Sequence, residues 1–238
     1  MVTTASEAAV QRLTQDILSC VLQPDRKLKV RELSDRYAIG ATPLREALSQ
    51  LAARGLVRQE GQKGFRVPPI TREQLLDITY TRQVVEGEAF RLAIRHGDVA
   101  WEDEIVASFH LLRRSTTAKP GLSQDEWLDA YEVRHHRFHR ALIAACPHTT
   151  LRVICDDLYS QKTRYRRFVR SLGHAKDKTL VAMHQRLMEL ALARDTVRAM
   201  REIKTHIGST AQALLAILGD KQGPLVTGGT NLHGEGGK

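Results

Sequence analysis

The 238-residue sequence predicts a mostly α chain: an N-terminal helix-turn-helix carrying a small β-wing, followed by an all-α antiparallel helical bundle. Three observations carry that prediction. Apolar residues recur at spacings of three and four along nearly the whole chain, as in amphipathic helices packed on a core. The single break lies over residues 55–67, where short runs of strand-forming residues flank a glycine-bearing turn. Pro68 and Pro69 then interrupt the chain before helical spacing resumes, which sets a boundary near residue 70 and divides the chain into 1–70 and 71–221. Residues 222–238 hold six of the 16 glycines and few large apolar groups, so this tail is expected to be disordered.

In chain order, Ala9, Val10, Leu13, Ile17, Leu18 and Val21 stripe a helix over 6–21, which Gln23-Pro24-Asp25 should end. A short helix over 30–37 places Leu33 and Tyr37 on one side, and a third over 43–54 aligns Leu44, Ala47, Leu48 and Leu51. Thr42-Pro43 predicts the start of the third: threonine oxygen can cap the free N–H groups, and proline at the first helical position loses no hydrogen bond. Gly55 closes it, and 56–59 and 65–67 read as two strands around Glu60-Gly61-Gln62-Lys63-Gly64. Beyond residue 70, six helices are predicted over 73–96, 101–116, 124–145, 149–172, 176–193 and 196–218, with Asp195 as the N-cap of the last.

Charge narrows the class of partner. Thirty-six Lys and Arg against 27 Asp and Glu give +9 and a pI near 9.7, which favours a polyanion. Of this, +4 falls within residues 1–70. The longest apolar runs, such as 213–218, are far too short to span a bilayer, and the first ten residues carry no basic cluster before an apolar stretch, so neither a membrane protein nor a secretory leader is expected. Cys20, Cys146 and Cys155 are widely spaced, which fits a reducing cytoplasm better than a disulfide framework.

A helix, a turn, a second helix and a wing in that order suit DNA binding. The N-terminal turn of the second helix presents N–H groups to phosphate, and Arg45 stands where it can reach base edges. Arg31 could touch the flanking backbone and Lys63 could enter the minor groove; alternatively, Arg45 pairs with Glu46 on an ordinary surface helix.

Arg31-Glu32-Leu33, Thr42-Pro43-Leu44-Arg45-Glu46-Ala47-Leu48, Leu51, Gly55-Leu56-Val57 and Gly64-Phe65-Arg66-Val67 together resemble the winged-helix signature of the GntR family of bacterial transcription regulators. The resemblance implies DNA contacts from Arg31, Thr42, Arg45, Gln62, Lys63 and Gly64. Gly40-Ala41 stands where the family usually has Ser or Thr followed by Arg, so one base-reading arginine is missing.

In the body, His135 and His139 are four apart and share a helix face, while His184 and His206 sit at matched distances on either side of the turn near Asp195. A bundle can gather all four around a metal, although a pair at this spacing is more often a surface coincidence. The body resembles the FadR-type C-terminal domain, FCD, in which an acidic residue and a His four apart, then two His 22 apart, hold a divalent metal. By that resemblance His135 replaces the usual Asp, and four imidazoles suit Zn²⁺ or Ni²⁺ better than Mg²⁺ or Ca²⁺. Arg82 and Glu86 are spaced for a helical ion pair. The family pattern Asp77, Arg82, Glu86 implies instead that Arg82 faces the pocket, where its planar fork suits a carboxylate. Arg164-Tyr165-Arg166-Arg167 is either a solvated face or a second clamp, with Arg164 and Tyr165 as the candidates.

Within the family, Leu22-Gln23-Pro24-Asp25, Pro43-Leu44-Arg45-Glu46-Ala47-Leu48-Ser49-Gln50-Leu51, Gln62-Lys63-Gly64 and Leu75-Leu76-Asp77-Ile78, with His135 in place of Asp, most resemble the CsiR type, repressors associated with glutarate and related dicarboxylate catabolism. The expected protein is therefore a homodimer on a pseudo-palindromic double-stranded DNA operator, responsive to a small carboxylate. It is not expected to be an enzyme. Two other classes stay open: a metal-dependent hydrolase using the histidines, against which stands the lack of an acid in an HExxH-like position, and a nonspecific DNA-binding protein.

Overall fold

The computed structural model describes residues 4–61, 64–115, 121–171 and 179–219. The chain divides into two compact units, Met1–Arg72 and Glu73–Ile217. The tail over 222–238 lies outside the described residues.

The first unit runs α1 (Ala5–Leu18), β1 (Lys27–Leu28), α2 (Val30–Tyr37), α3 (Ala41–Ala53), β2 (Arg58–Gln59) and β3 (Phe65–Arg66). Thr4 and Glu7 form a capping box that starts α1. Ala9, Leu13 and Ile17 of α1 meet Leu44, Leu48 and Leu51 of α3 in one apolar core. The Tyr37 hydroxyl donates to Asp16 at 2.6 Å, and Arg12 donates to the Tyr37 carbonyl at 3.2 Å, so polar contacts bind α2 to α1 at the edge of that core.

Three local expectations change. Helix α1 ends at Leu18, because Ser19 bonds back to Gln15 and Cys20 turns into the left-handed region, well before Pro24. Helix α3 starts at Ala41 with Gly40 as the N-cap, whose carbonyl accepts from Leu44, so Thr42 lies inside the first turn and does not cap it. Pro43 still costs nothing there, since first-turn N–H groups have no partner within the helix. The wing has a third strand that local periodicity did not reveal: β3 sits between β1 and β2, antiparallel to both, with Arg66 opposite Lys27 and Arg58. Arg66 closes the base of the wing by binding Glu60 at 2.7 Å and the Asp25 carbonyl at 2.6 Å.

The second unit comprises α4 (Arg72–His96), α5 (Val99–Arg114), α6 (Gln124–Ile143), α7 (Thr149–Ser171), α8 (Thr179–Leu192) and α9 (Thr196–Leu218). Asp98 caps α5 through the Trp101 N–H, Ser123 and Glu126 form a capping box on α6, and Asp195 accepts from the Arg198 N–H at 2.9 Å, capping α9 as expected. Phe90, Ile105, Phe109, Phe138, Leu142, Leu187, Ile203 and Ile207 build the core. No helix among the described residues is long and apolar enough to cross a membrane.

Trp101 pins α5 to α6 through its indole N–H, which donates to the Ala141 carbonyl at 2.9 Å. Its ring covers Gly97, where an added Cβ would lie 2.1 Å from a ring carbon. Gly97→Ala is therefore expected to destabilise the body by about 1–3 kcal/mol, since a buried ring must shift. An unchanged thermal midpoint would show that this close approach carries no weight.

Candidate functional site

In the head, Leu44, Ala47, Leu48 and Leu51 face inward, which leaves Thr42, Arg45, Glu46 and Ser49 exposed on the other side of α3. Arg45 and Arg31 are exposed, and among the described residues neither takes part in an ion pair. The Arg45–Glu46 pair considered from sequence does not form. Gly64 takes a positive φ of 102° at the end of the wing turn, where its carbonyl accepts from Glu60; Gln62 and Lys63 lie outside the described residues.

In the body, the four predicted histidines converge. Residues four apart on α6 project the same way, and the turn at Arg194–Asp195 folds α9 back along α8, so His135, His139, His184 and His206 meet from three helices. All four are buried, and one nitrogen from each lies within 4.8 Å of the others. The His184 and His206 ring centres are 4.5 Å apart, those of His139 and His206 5.2 Å.

Burial holds His135, His139 and His206 well below the ordinary imidazole pKa, reinforced by Arg166 at His135, by His206 at His139, and by His184 at His206. They are neutral at neutral pH, the form a metal requires. His139 Nε2 and His206 Nδ1 are buried without any hydrogen-bond partner. An unmet buried nitrogen is costly, and two aimed into a cluster of imidazoles fit a divalent cation.

Charged groups ring this centre. Arg82 of α4, 2 % exposed, grips Glu86 with both Nε and Nη2, the latter at 3.0 Å, and its guanidinium lies 5.5 Å from the Tyr159 ring centre. Arg82 forms the ion pair that its spacing from Glu86 suggests, and its charge reaches His139 and His206. Helix α7 contributes Tyr159, Lys162 and Arg166. Arg166 pairs with Glu132 and reaches both His135 and Tyr159. Burial, then Arg166 and Arg82, hold Lys162 well below the usual lysine range.

The basic run on α7 is not a solvated face: Arg164, Tyr165 and Arg166 are all buried. Arg166 is the member of the run that reaches His135. Tyr165 donates to Gln74 at 3.0 Å, and Arg164 lies roughly 140° around the helix from Tyr159. The missed residues Tyr159, Lys162 and Arg166 carry a readable signal, spacings of three and four from one another.

A narrow passage lined by Glu86, His136, Arg140, Ile143, Asp156 and Tyr159 touches His139. It shares His136, Arg140, Ile143 and Asp156 with a surface groove of about 570 Å³. Asp156 binds His136 at 3.1 Å and Arg140 at 3.4 Å where the two spaces adjoin.

Comparison with known proteins agrees with this architecture. Residues 5–67 match the family described as bacterial regulatory proteins, gntR family, and residues 77–209 match the FCD domain. The chain is 38% identical to the HTH-type transcriptional repressor GlaR of Escherichia coli K12, over 82% of this chain and 89% of that protein. It is 34% identical to BphR, an HTH-type transcriptional regulator of Paraburkholderia xenovorans LB400, over 86% and 82%. Among solved structures, E. coli McbR/YncC shares the fold with a TM-score of 0.74 at 17% identity, covering 90% of this chain and 98% of that one. GlaR and BphR are named as transcriptional regulators and both matching families belong to such regulators, so the hydrolase reading of the histidines falls away. The chain belongs to the GntR family of bacterial transcription regulators, a winged helix-turn-helix for DNA joined to an FCD body.

Proposed function

We propose that the protein is a cytoplasmic, homodimeric repressor whose winged helices bind a pseudo-palindromic operator and release it when a small carboxylate enters the body beside a histidine-held metal. The observation that carries the effector half is the pair of unpartnered nitrogens, His139 Nε2 and His206 Nδ1, inside four buried histidines. The imidazole donor set favours Zn²⁺ or Ni²⁺, and the metal would supply a positive charge that attracts an anion. Around it Arg82 and Arg166 are offset by Glu86 and Glu132, and an anion beside the metal would restore the charge that burial takes from Lys162, which supports an acidic ligand. A dicarboxylate such as glutarate fits that lysine and the metal's charge better than a neutral sugar or an amine. The repressor sense follows GlaR, whose name describes a repressor.

In the head, Arg45 reads bases from α3, Thr42 and Arg31 hold flanking phosphates, and Gln62, Lys63 and Gly64 of the wing reach the neighbouring groove. Two copies related by a dyad bind two half-sites, and the effector acts by favouring an arrangement of the pair that no longer spans them.

Metal analysis of untagged protein should find about one Zn²⁺ or Ni²⁺ per chain, lost in His139→Ala. Calorimetry with glutarate and C4 to C6 dicarboxylates should give heat with the metal-loaded protein. No stoichiometric metal, or no heat with any of these acids, overturns the effector reading and leaves the DNA-binding one standing.

A further inference from the structure

Within the four-histidine centre, His135 differs from its neighbours in what stands behind it. Its Nδ1 meets the Tyr159 hydroxyl and lies 3.2 Å from Nη1 of Arg166. A guanidinium carries only donors and stays protonated, and Arg166 is further fixed by its ion pair with Glu132. Arg166 Nη2 also donates to the Tyr159 oxygen at 3.1 Å, which leaves the phenol proton to point at His135. Two donors therefore face Nδ1 of His135, and that nitrogen must present its lone pair. A neutral imidazole has one proton, which then resides on Nε2. Nε2 lies 3.0 Å from Nε2 of His184, aimed into the centre as a donor.

We infer that Arg166 and Tyr159 lock His135 in the Nε2–H tautomer, so that it serves the centre as a hydrogen-bond donor and is not one of its metal ligands. A ligating histidine offers one lone pair to the metal and normally gives its outer N–H to a carboxylate or carbonyl. His135 has the reverse arrangement, a cation behind it and an N–H in front. The ligand set becomes His139, His184 and His206, the three-imidazole pattern that leaves coordination positions open. An anion oxygen at such a position would accept the His135 N–H. The residue standing where the family has an acidic ligand thus acts on the anion and not on the metal. This assignment rests on the proposed metal reading for the ligand set, and stands apart from it for the tautomer.

Two measurements on the full chain decide it. Long-range ¹H–¹⁵N correlation spectra of chelator-treated protein at neutral pH should show His135 with a protonated Nε2 and a bare Nδ1. A protonated Nδ1 overturns the inference whether or not metal binds. Zn²⁺ competition titrations then compare His135→Gln with His139→Gln, since glutamine keeps an N–H donor and ligates zinc poorly. The first should bind within about tenfold of the unaltered chain, the second more than about a hundredfold more weakly. Equal hundredfold losses overturn the inference. If the unaltered chain binds no Zn²⁺, the metal reading fails and the tautomer spectrum alone decides the role of His135.

Discussion

Arg45→Ala is expected to remove tight operator binding while leaving both units folded. The side chain is exposed on the outer face of α3, opposite Leu44, Ala47, Leu48 and Leu51, and no ion pair holds it among the described residues. Its loss therefore costs no packing, and circular dichroism should be unchanged. A bidentate arginine–base contact contributes about 1–3 kcal/mol, and a dimer on a dyad-related site loses two, so affinity should fall by about 30-fold to about 20,000-fold. Arg31→Ala supplies the contrast. As a phosphate contact it should weaken all duplexes alike and reduce the salt dependence of binding, without changing sequence preference. Unchanged affinity of Arg45→Ala in a titration at fixed salt would remove α3 from its proposed place in the groove.

The second large effect is acid destabilisation of the metal-free body. His135, His139 and His206 are all held below the ordinary imidazole pKa, chiefly by burial. The sign follows from proton linkage: below about pH 6.5 the unfolded chain takes up protons on these three groups and the folded chain does not. Stability is thus fully present above that pH and is lost as pH falls. Each group contributes a slope of up to about 1.4 kcal/mol per pH unit, so the three together reach about 4 kcal/mol per unit. Guanidinium unfolding of chelator-treated protein at pH 7.5 and 5.5 reads this directly, in a window above that in which ordinary carboxylates titrate. The drop should be shallower by one group in His206→Gln. A flat profile between the two pH values would mean that the imidazoles are not buried and neutral.

Much of this architecture is legible in the residues, because amphipathic spacing and a long local motif both act within one helix. Leu44, Ala47, Leu48 and Leu51 mark the buried side of α3 and so also its outer side, where Arg45 stands. The 22-residue interval between His184 and His206 is readable because an antiparallel helix pair returns to the same height at equal distances from its turn. What escaped depends on contacts between distant segments. Strand β1 is two residues long, Lys27–Leu28, and exists because β3 pairs with it from nearly forty residues away. The start of α3 went to Gly40, a residue as permissible there as Thr42, since the preceding turn is pinned by Ser34 donating to the Ile39 carbonyl at 2.7 Å. The basic run on α7 is contiguous in sequence, yet 3.6 residues per turn spread its members around the helix, and it is Arg166 that reaches His135. The spacing of His135 from His139 makes it a ligand candidate; the tautomer proposed for it depends on Arg166, 31 residues further along the chain.

The central claim joins sequence-specific DNA binding in the head to an acid sensed at the histidine centre. Its most direct test is a fluorescence anisotropy titration of the metal-loaded protein at fixed salt, on an operator selected by the protein itself and on a random duplex, with and without glutarate. The account predicts a preference for the operator of at least about a thousandfold. It also predicts that dicarboxylate lowers operator affinity for the unaltered chain and leaves His139→Gln unmoved. A preference near one, or release by the acid that His139→Gln retains in full, would contradict it.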